Sequence, residues 1–165
     1  KGSCFTVLLP CRISGKKEPP KEQHDDKSQE KVLRNKTILL AEDNELNAEI
    51  AMTILQDAHA RVEVASDGAI ALSMLKEAPA GYYDVILMDI QMPHMNGYQA
   101  SEAIRKLLDD RARTPIIAMT ANAFEEDHKA ALEAGMDAYV AKPIEIDTPF
   151  STITQVLNKD SLDLK

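Results

Sequence analysis

Short apolar runs alternate with longer amphipathic stretches from Thr37 to the end of the chain. In the longer stretches, apolar side chains recur at spacings of three and four residues, which is typical of helices that bury one face. Most of the short runs are continuously apolar, as in strands that are buried on both faces. The predicted strands are Thr37–Ala41, Val62–Ala65, Val85–Met88, Ile116–Met119 and Ala138–Ala141.

Five strand–helix units in succession predict an α/β fold, in which a parallel sheet is covered by helices on both faces. The predicted buried face of the first helix includes Ile50, Ile54, Leu55 and Ala58, and that of the third runs from Ala100 to Leu108. In a sheet of this kind, ligands bind at the carboxyl ends of the strands.

The chain before Thr37 has a different composition. Residues 1–13 are apolar and prone to form a strand, whereas residues 14–36 are dominated by charge and contain adjacent prolines. The charged segment has too few apolar groups to fold by itself, so it is predicted to be a linker. The compact domain is predicted to span residues 37–160, with residues 1–36 outside its core.

Polar side chains follow four of the five predicted strands. Glu42 and Asp43 follow the first strand, Asp89 the third, Thr120 the fourth and Lys142 the fifth. Taken singly, an acid after a strand is often a helix N-cap, and a lysine there is often a solvated charge. Because the carboxyl ends of parallel strands share one edge, the five residues together predict a functional site.

The chemistry of this set is coherent. Clustered carboxylates repel one another and favour a hard divalent cation such as Mg²⁺, which prefers oxygen ligands. One carboxylate can then attack phosphorus and form an acyl phosphate. A metal ion and a lysine offset the charge of the phosphoryl oxygens, which is most of what phosphoryl transfer requires.

Residues 37–158 resemble the response-regulator receiver family. The resemblance rests on four motifs in order: ILLAEDNELN, VILMDIQMPHMNGYQA, IIAMTANA and AYVAKPI. It implies a doubly wound, flavodoxin-like sheet with strand order 2-1-3-4-5 and five helices. It also implies that the domain catalyses its own phosphorylation on an aspartate in a two-component phosphorelay, taking the phosphoryl group from a phosphohistidine.

The resemblance also implies a role for each site residue. Asp89 is the expected phosphoacceptor, and Thr120 and Lys142 are expected to hold the phosphoryl oxygens. Thr120 and Tyr139 match the family's switch pair, although Tyr139 can also be read as an ordinary half-buried strand tyrosine. The expected Mg²⁺ ligands are Asp43, Asp89 and the backbone carbonyl of Gln91, with Glu42 acting through water.

Residues 1–10, KGSCFTVLLP, resemble the end of a histidine-kinase ATP-binding domain. A kinase end, a linker and a receiver in that order describe the C-terminal part of a hybrid sensor histidine kinase, a transferase whose catalytic core is not in this sequence. A chance strand-prone segment is the alternative. The four histidines lie in no phosphodonor motif, so the expected partner is a histidine kinase core or a histidine phosphotransfer domain.

The composition of the chain argues against several kinds of partner and location. A net charge of −8 and the absence of tryptophan argue against nucleic acid as a partner. No apolar run is long enough to span a bilayer, and Cys4 and Cys11 lie in no metal or redox motif. We therefore expect no direct membrane contact by this segment and a cytoplasmic location, which leaves open a membrane-anchored parent protein.

Two other functions compete with the receiver. An aspartate-nucleophile phosphatase on a related sheet requires a second acid two residues after the nucleophile, where this chain has Gln91. A pseudo-receiver that binds partners without phosphorylation usually lacks an acid, the threonine or the lysine, and all are present here. The motifs therefore favour a phosphorylatable receiver.

Overall fold

Five parallel strands form one sheet in the order β2-β1-β3-β4-β5. The structure is a computed structural model, and it describes residues 33–121, 125–142 and 148–162. The predicted fold class, strand order and strand positions are confirmed, with each boundary within one residue. The strands are β1 (Thr37–Ala41), β2 (Arg61–Ala65), β3 (Val85–Asp89), β4 (Ile116–Thr120) and β5 (Ala138–Ala141).

From Thr37 onward, the described part of the chain has five α-helices that alternate with the strands, as predicted. They are α1 (Glu45–Asp57), α2 (Gly68–Glu77), α3 (Gly97–Arg105), α4 (Glu125–Glu133) and α5 (Thr148–Leu162). A short 3₁₀ helix over Asp110–Arg113, which the pattern did not predict, precedes β4.

Side-chain caps define where the first three helices begin. Asn44 accepts hydrogen bonds from two amides of α1, and Asp67 accepts one from α2. Asn96 and Gln99 form a reciprocal capping box at the start of α3. Each cap satisfies backbone amides that have no partner inside the helix, and a cap of this kind typically contributes about 1 kcal/mol. Asn44 and Asn96 therefore fix the helix starts next to the ends of β1 and β3.

The core lies on both faces of the sheet. Every residue of β1, β3 and β4 is buried. Helices α1 and α5 pack on one face, and α2, α3 and α4 pack on the other. Full burial of a large apolar side chain contributes about 1.5–3 kcal/mol, so the central strands hold the sheet rigid beneath its carboxyl edge.

Two predicted helix faces need correction. In α1 the buried residues are Ala48, Ala51 and Leu55, and Ile50 is exposed. The buried stripe runs through positions 48, 51 and 55, and Ile50 lies about 100° around the helix from Ala51. Helix α3 ends at Arg105, so Leu108 lies beyond it and is fully exposed.

Leu33 corrects the predicted boundary of the domain. Its side chain is 0% exposed and belongs to the same core cluster as Leu55 of α1. Asp84 then holds the entry to β1, because its carboxylate accepts hydrogen bonds from the Lys36 ammonium and the Thr37 amide, both at 2.8 Å. The packed domain thus includes Leu33 to Lys36, which the charge pattern predicts to be part of the linker. The predictions for residues 1–32 lie outside the described residues.

We expect Leu33→Ala to lower the free energy of unfolding by about 2–5 kcal/mol, because it leaves a cavity in the core. Chemical denaturation measures the change. Arg34→Ala is the matched control, since Arg34 is exposed, and it should change the stability by less than about 0.5 kcal/mol. Equal stabilities for the two variants would show that residues before Thr37 are dispensable to the core.

Candidate functional site

The carboxyl ends of β1, β3, β4 and β5 open into one cleft. It is lined by Glu42, Asp43, Asn44, Asn47, Asp89, Ile90, Gln91, Thr120, Ala121 and Lys142. The structure thus brings together six of the seven residues singled out from the sequence. Tyr139, the seventh, does not line this cleft.

Backbone hydrogen bonds continue the sheet into the cleft and hold these residues in register. The Glu42 amide donates to the Ala65 carbonyl at 3.0 Å, which extends the pairing of β1 with β2. The Lys142 amide donates to the Thr120 carbonyl at 2.7 Å, which extends the pairing of β5 with β4. The positions of Glu42 and Lys142 therefore follow directly from strand register.

Lys142 joins two buried acids. Its ammonium lies 2.5 Å from Glu42 Oε2 and 2.7 Å from Asp89 Oδ2. Glu42 is 4% exposed and Asp89 is 5% exposed. A buried carboxylate is costly unless it is paired, so the single ammonium makes it possible for both acids to share this edge of the sheet.

Asp89 is fixed from its backbone as well as by Lys142. The Gln91 amide donates to Asp89 Oδ1 at 3.2 Å. Burial raises the pKa of the Asp89 carboxyl, and the Lys142 hydrogen bond and charge, together with the Gln91 amide, oppose that rise. Each carboxylate oxygen thus has one donor that favours the ionised form.

Gly97 allows α3 to begin directly beneath this aspartate. A Cβ atom at position 97 would lie 2.3 Å from the Asp89 carbonyl oxygen, closer than any side chain can approach. The Gly97 amide also donates to the Ile90 carbonyl at 3.0 Å. The turn between β3 and α3 is therefore held tightly against the strand end that carries Asp89.

Glu42, Asp43 and Asp89 form a group suited to a hard cation. One carboxylate oxygen from each lies within 4.8 Å of the others. Asp43 is exposed, so it can reach an ion at the mouth of the cleft, while the other two acids form its floor. The donors are all oxygens, as Mg²⁺ and Ca²⁺ prefer, so the residues fit the divalent cation expected from the sequence.

Asn47 is a cleft residue that the sequence did not reveal. Its side-chain amide donates to Glu42 Oε1 at 3.1 Å. The sequence pattern does not distinguish it, because a polar residue of an amphipathic helix is ordinarily expected to lie on the solvated face. A signal was present in Asn44, the N-cap three residues earlier, which places position 47 in the first helical turn beside the end of β1.

The comparison with known families agrees with this arrangement. The response regulator receiver domain family matches residues 38–154. The chain belongs to the response regulator receiver family. It is a receiver domain of the two-component phosphorelay, as the four motifs indicated.

Relatives of the receiver include histidine kinases. It is 40% identical over 126 residues to hybrid signal transduction histidine kinase M of Dictyostelium discoideum, an alignment covering 74% of this chain and 5% of that protein. The chain spans less than a fifth of the length of each histidine kinase named in these matches.

Solved structures of other receivers have the same fold. The receiver domain of sensor histidine kinase PA1611 from Pseudomonas aeruginosa, with a magnesium ion coordinated in its active-site cleft, is 35% identical (TM-score 0.64; 76% of this chain, 96% of that one). The receiver of Saccharomyces cerevisiae Ssk1, solved with the phosphotransfer protein Ypd1, is 26% identical (TM-score 0.69; 78% and 92%).

Tyr139 of the receiver lies on β5 away from the acids. Its side chain is 41% exposed, and its ring meets the His128 ring edge-on with centroids 4.0 Å apart. The partly exposed ring is compatible with both readings of this position, so its switch role remains a prediction.

Among residues 33–121, 125–142 and 148–162, no helix is long and apolar enough to cross a membrane.

Proposed function

We propose that this receiver accepts a phosphoryl group on Asp89 from a phosphohistidine, with Mg²⁺ in the acidic cleft. The observation that carries the proposal is the position of Asp89: it is buried at the end of β3, within 4.8 Å of two further carboxylates and 2.7 Å from the Lys142 ammonium. A structural salt bridge alone does not need a third carboxylate, that of Asp43, beside the two that pair with Lys142.

In the proposed reaction, a carboxylate oxygen of Asp89 attacks the phosphorus of the phosphohistidine. A new O–P bond forms as the N–P bond breaks, and the imidazole leaves with the electron pair of that bond and takes up a proton. The product on this chain is an acyl phosphate. The Gln91 amide and the Lys142 ammonium each contact one oxygen of the attacking carboxylate, which orients it and favours its ionised form.

Asp43, Asp89 and the Gln91 carbonyl would hold Mg²⁺, and Glu42 would act through a water molecule. When bound, the ion would offset the negative charge of the phosphoryl oxygens. Lys142 already reaches Asp89, so its ammonium is placed to pair with a phosphoryl oxygen there. Thr120 lines the same cleft, and its hydroxyl would donate to another oxygen.

The phosphodonor would be a histidine kinase core or a histidine phosphotransfer domain. The co-crystal of Ypd1 with the Ssk1 receiver supports a partner of the second kind. The histidine kinases among the relatives support placement in a hybrid sensor kinase, with residues 1–13 as the end of its ATP-binding domain and residues up to Val32 as a linker. A cytoplasmic position beside that kinase core is part of the same proposal.

A phosphatase is a weaker second candidate. Gln91 stands where that class needs an acid, and its backbone amide is bonded to Asp89. Its amide side chain cannot act as a general acid. Transfer to and from the aspartate is therefore favoured over hydrolysis of a separate substrate.

We expect Asp89→Asn to abolish labelling of this chain by a phosphorylated histidine phosphotransfer protein, because the amide is not a nucleophile. Retained radiolabel after electrophoresis measures the result. Asp57→Asn is the matched control, since Asp57 is an exposed acid at the end of α1, and it should label like the unmodified chain. Labelling of Asp89→Asn at the wild-type level would refute the assignment.

A second test separates metal binding from phosphoryl binding. We expect Lys142→Ala and Thr120→Ala to keep Mg²⁺ affinity near or above the wild-type value, because neither substitution removes a carboxylate. Asp43→Asn should weaken binding by about tenfold or more. Titration with Mg²⁺, followed by NMR of the Gln91 amide, measures each dissociation constant.

The response to a phosphoryl mimic should depend on Lys142 and Thr120, although Mg²⁺ affinity should not. Lys142→Ala and Thr120→Ala should reduce the spectral change that beryllofluoride causes at saturating Mg²⁺. If Lys142→Ala lost Mg²⁺ as completely as Asp43→Asn, the proposed division between the two groups of residues would be wrong.

A further inference from the structure

Asn47 completes a chain of hydrogen bonds that crosses the whole cleft. Its amide donates to Glu42 Oε1, and Lys142 donates to Glu42 Oε2 and pairs with Asp89. The chain therefore runs from the first turn of α1, through the ends of β1 and β5, to the end of β3. Of its four members, Asn47 alone is neutral and exposed.

The two oxygens of Glu42 have different surroundings. Oε2 lies against the Lys142 ammonium at 2.5 Å, which is a strong, charge-assisted contact. Oε1 has the Asn47 amide at 3.1 Å and, more distantly, the Asn44 backbone amide at 3.4 Å. Among the described residues, the remaining donor to Oε1 without Asn47 is the Asn44 backbone amide at 3.4 Å. The Glu42 carboxylate can then turn about its bond to Lys142.

We infer that Asn47 is a positioning residue, which acts through Glu42 to hold the cleft ready for Mg²⁺. It fixes the plane of the Glu42 carboxylate, so that this acid faces the other two. The inference rests on the proposed function, because it takes the acidic cleft to be the Mg²⁺ site.

A role in folding alone predicts a different result for the same substitution. Asn47 lies in α1, where alanine has a higher helix propensity than asparagine. Its hydrogen bond to Glu42 is only part-buried, so the net contribution of that bond to stability is small. If the residue served only the helix, Asn47→Ala would leave both Mg²⁺ affinity and phosphorylation unchanged.

The experiment compares Asn47→Ala with Gln56→Ala in the full chain. Gln56 is an exposed polar residue of the same helix, about 13 Å farther along its axis at 1.5 Å per residue. Titration with Mg²⁺, followed by NMR of the Gln91 amide, gives the dissociation constant of each variant. We expect Asn47→Ala to weaken Mg²⁺ binding by about tenfold, the lower end for partners that orient a metal site, and Gln56→Ala to match the unmodified chain.

A kinetic comparison tests whether Asn47 acts through the metal site. The rate of labelling by acetyl phosphate is measured against Mg²⁺ concentration. The Asn47→Ala variant should need more Mg²⁺ to reach half of its maximal rate. At saturating Mg²⁺, its rate should be within about twofold of that of the unmodified chain. An unchanged Mg²⁺ requirement, or a slower saturated rate with unchanged affinity, would overturn the inference.

Failure of this inference can be told apart from failure of the proposed function. If the unmodified chain binds Mg²⁺ and is labelled, and Asn47→Ala behaves identically, only the role of Asn47 is lost. If the unmodified chain neither binds Mg²⁺ at the Gln91 amide nor accepts label, the proposed function fails and this inference fails with it.

Discussion

The pairing of Lys142 with Glu42 and Asp89 is the interaction on which the site depends. Two carboxylates lie almost completely buried at neighbouring strand ends, and a buried charge is costly without a partner. One ammonium lies within 2.7 Å of both and offsets their charge. A phosphoryl group on Asp89 would compete with Glu42 for that ammonium. Phosphorylation of Asp89 would therefore change the contacts of Glu42 and of Lys142 at the end of β5.

The sheet gives this pairing its geometry. Lys142 is fixed by the hydrogen bond between its amide and Thr120, and Asp89 is fixed by the tight turn at Gly97. The central strands beneath them are entirely buried, and interiors packed at this density deform little. The cleft can therefore hold unlike charges at short distance without relying on flexible loops, which is what preorganised electrostatic catalysis requires.

Sequence alone predicted the parts of the fold that depend on local pattern. The run Thr37–Ala41 is a strand with those bounds because five apolar residues in a row suit burial on both faces. The acids and the lysine could be placed together because parallel strands bring their carboxyl ends to one edge. Leu108 was misassigned because its spacing fits the α3 stripe, whereas the helix has already ended at Arg105.

Leu33 and Asn47 could not be predicted because their roles depend on tertiary contacts. Leu33 lies at the end of a charged segment. Its place in the core becomes visible only when its packing with the residues of α1 is known. Asn47 resembles any polar residue of a helix surface until the distance to Glu42 is known. A sequence pattern does not identify a side chain whose role depends on contacts between different helices and strands.

The central claim is that one carboxylate in this cleft, Asp89, receives the phosphoryl group. The most direct test incubates the chain with phosphoramidate and Mg²⁺, reduces the acyl phosphate with borohydride and locates the resulting homoserine by peptide mass spectrometry. We expect homoserine at position 89 and nowhere else. Homoserine at position 43, or stable phosphate on a histidine or serine with none at position 89, would contradict it.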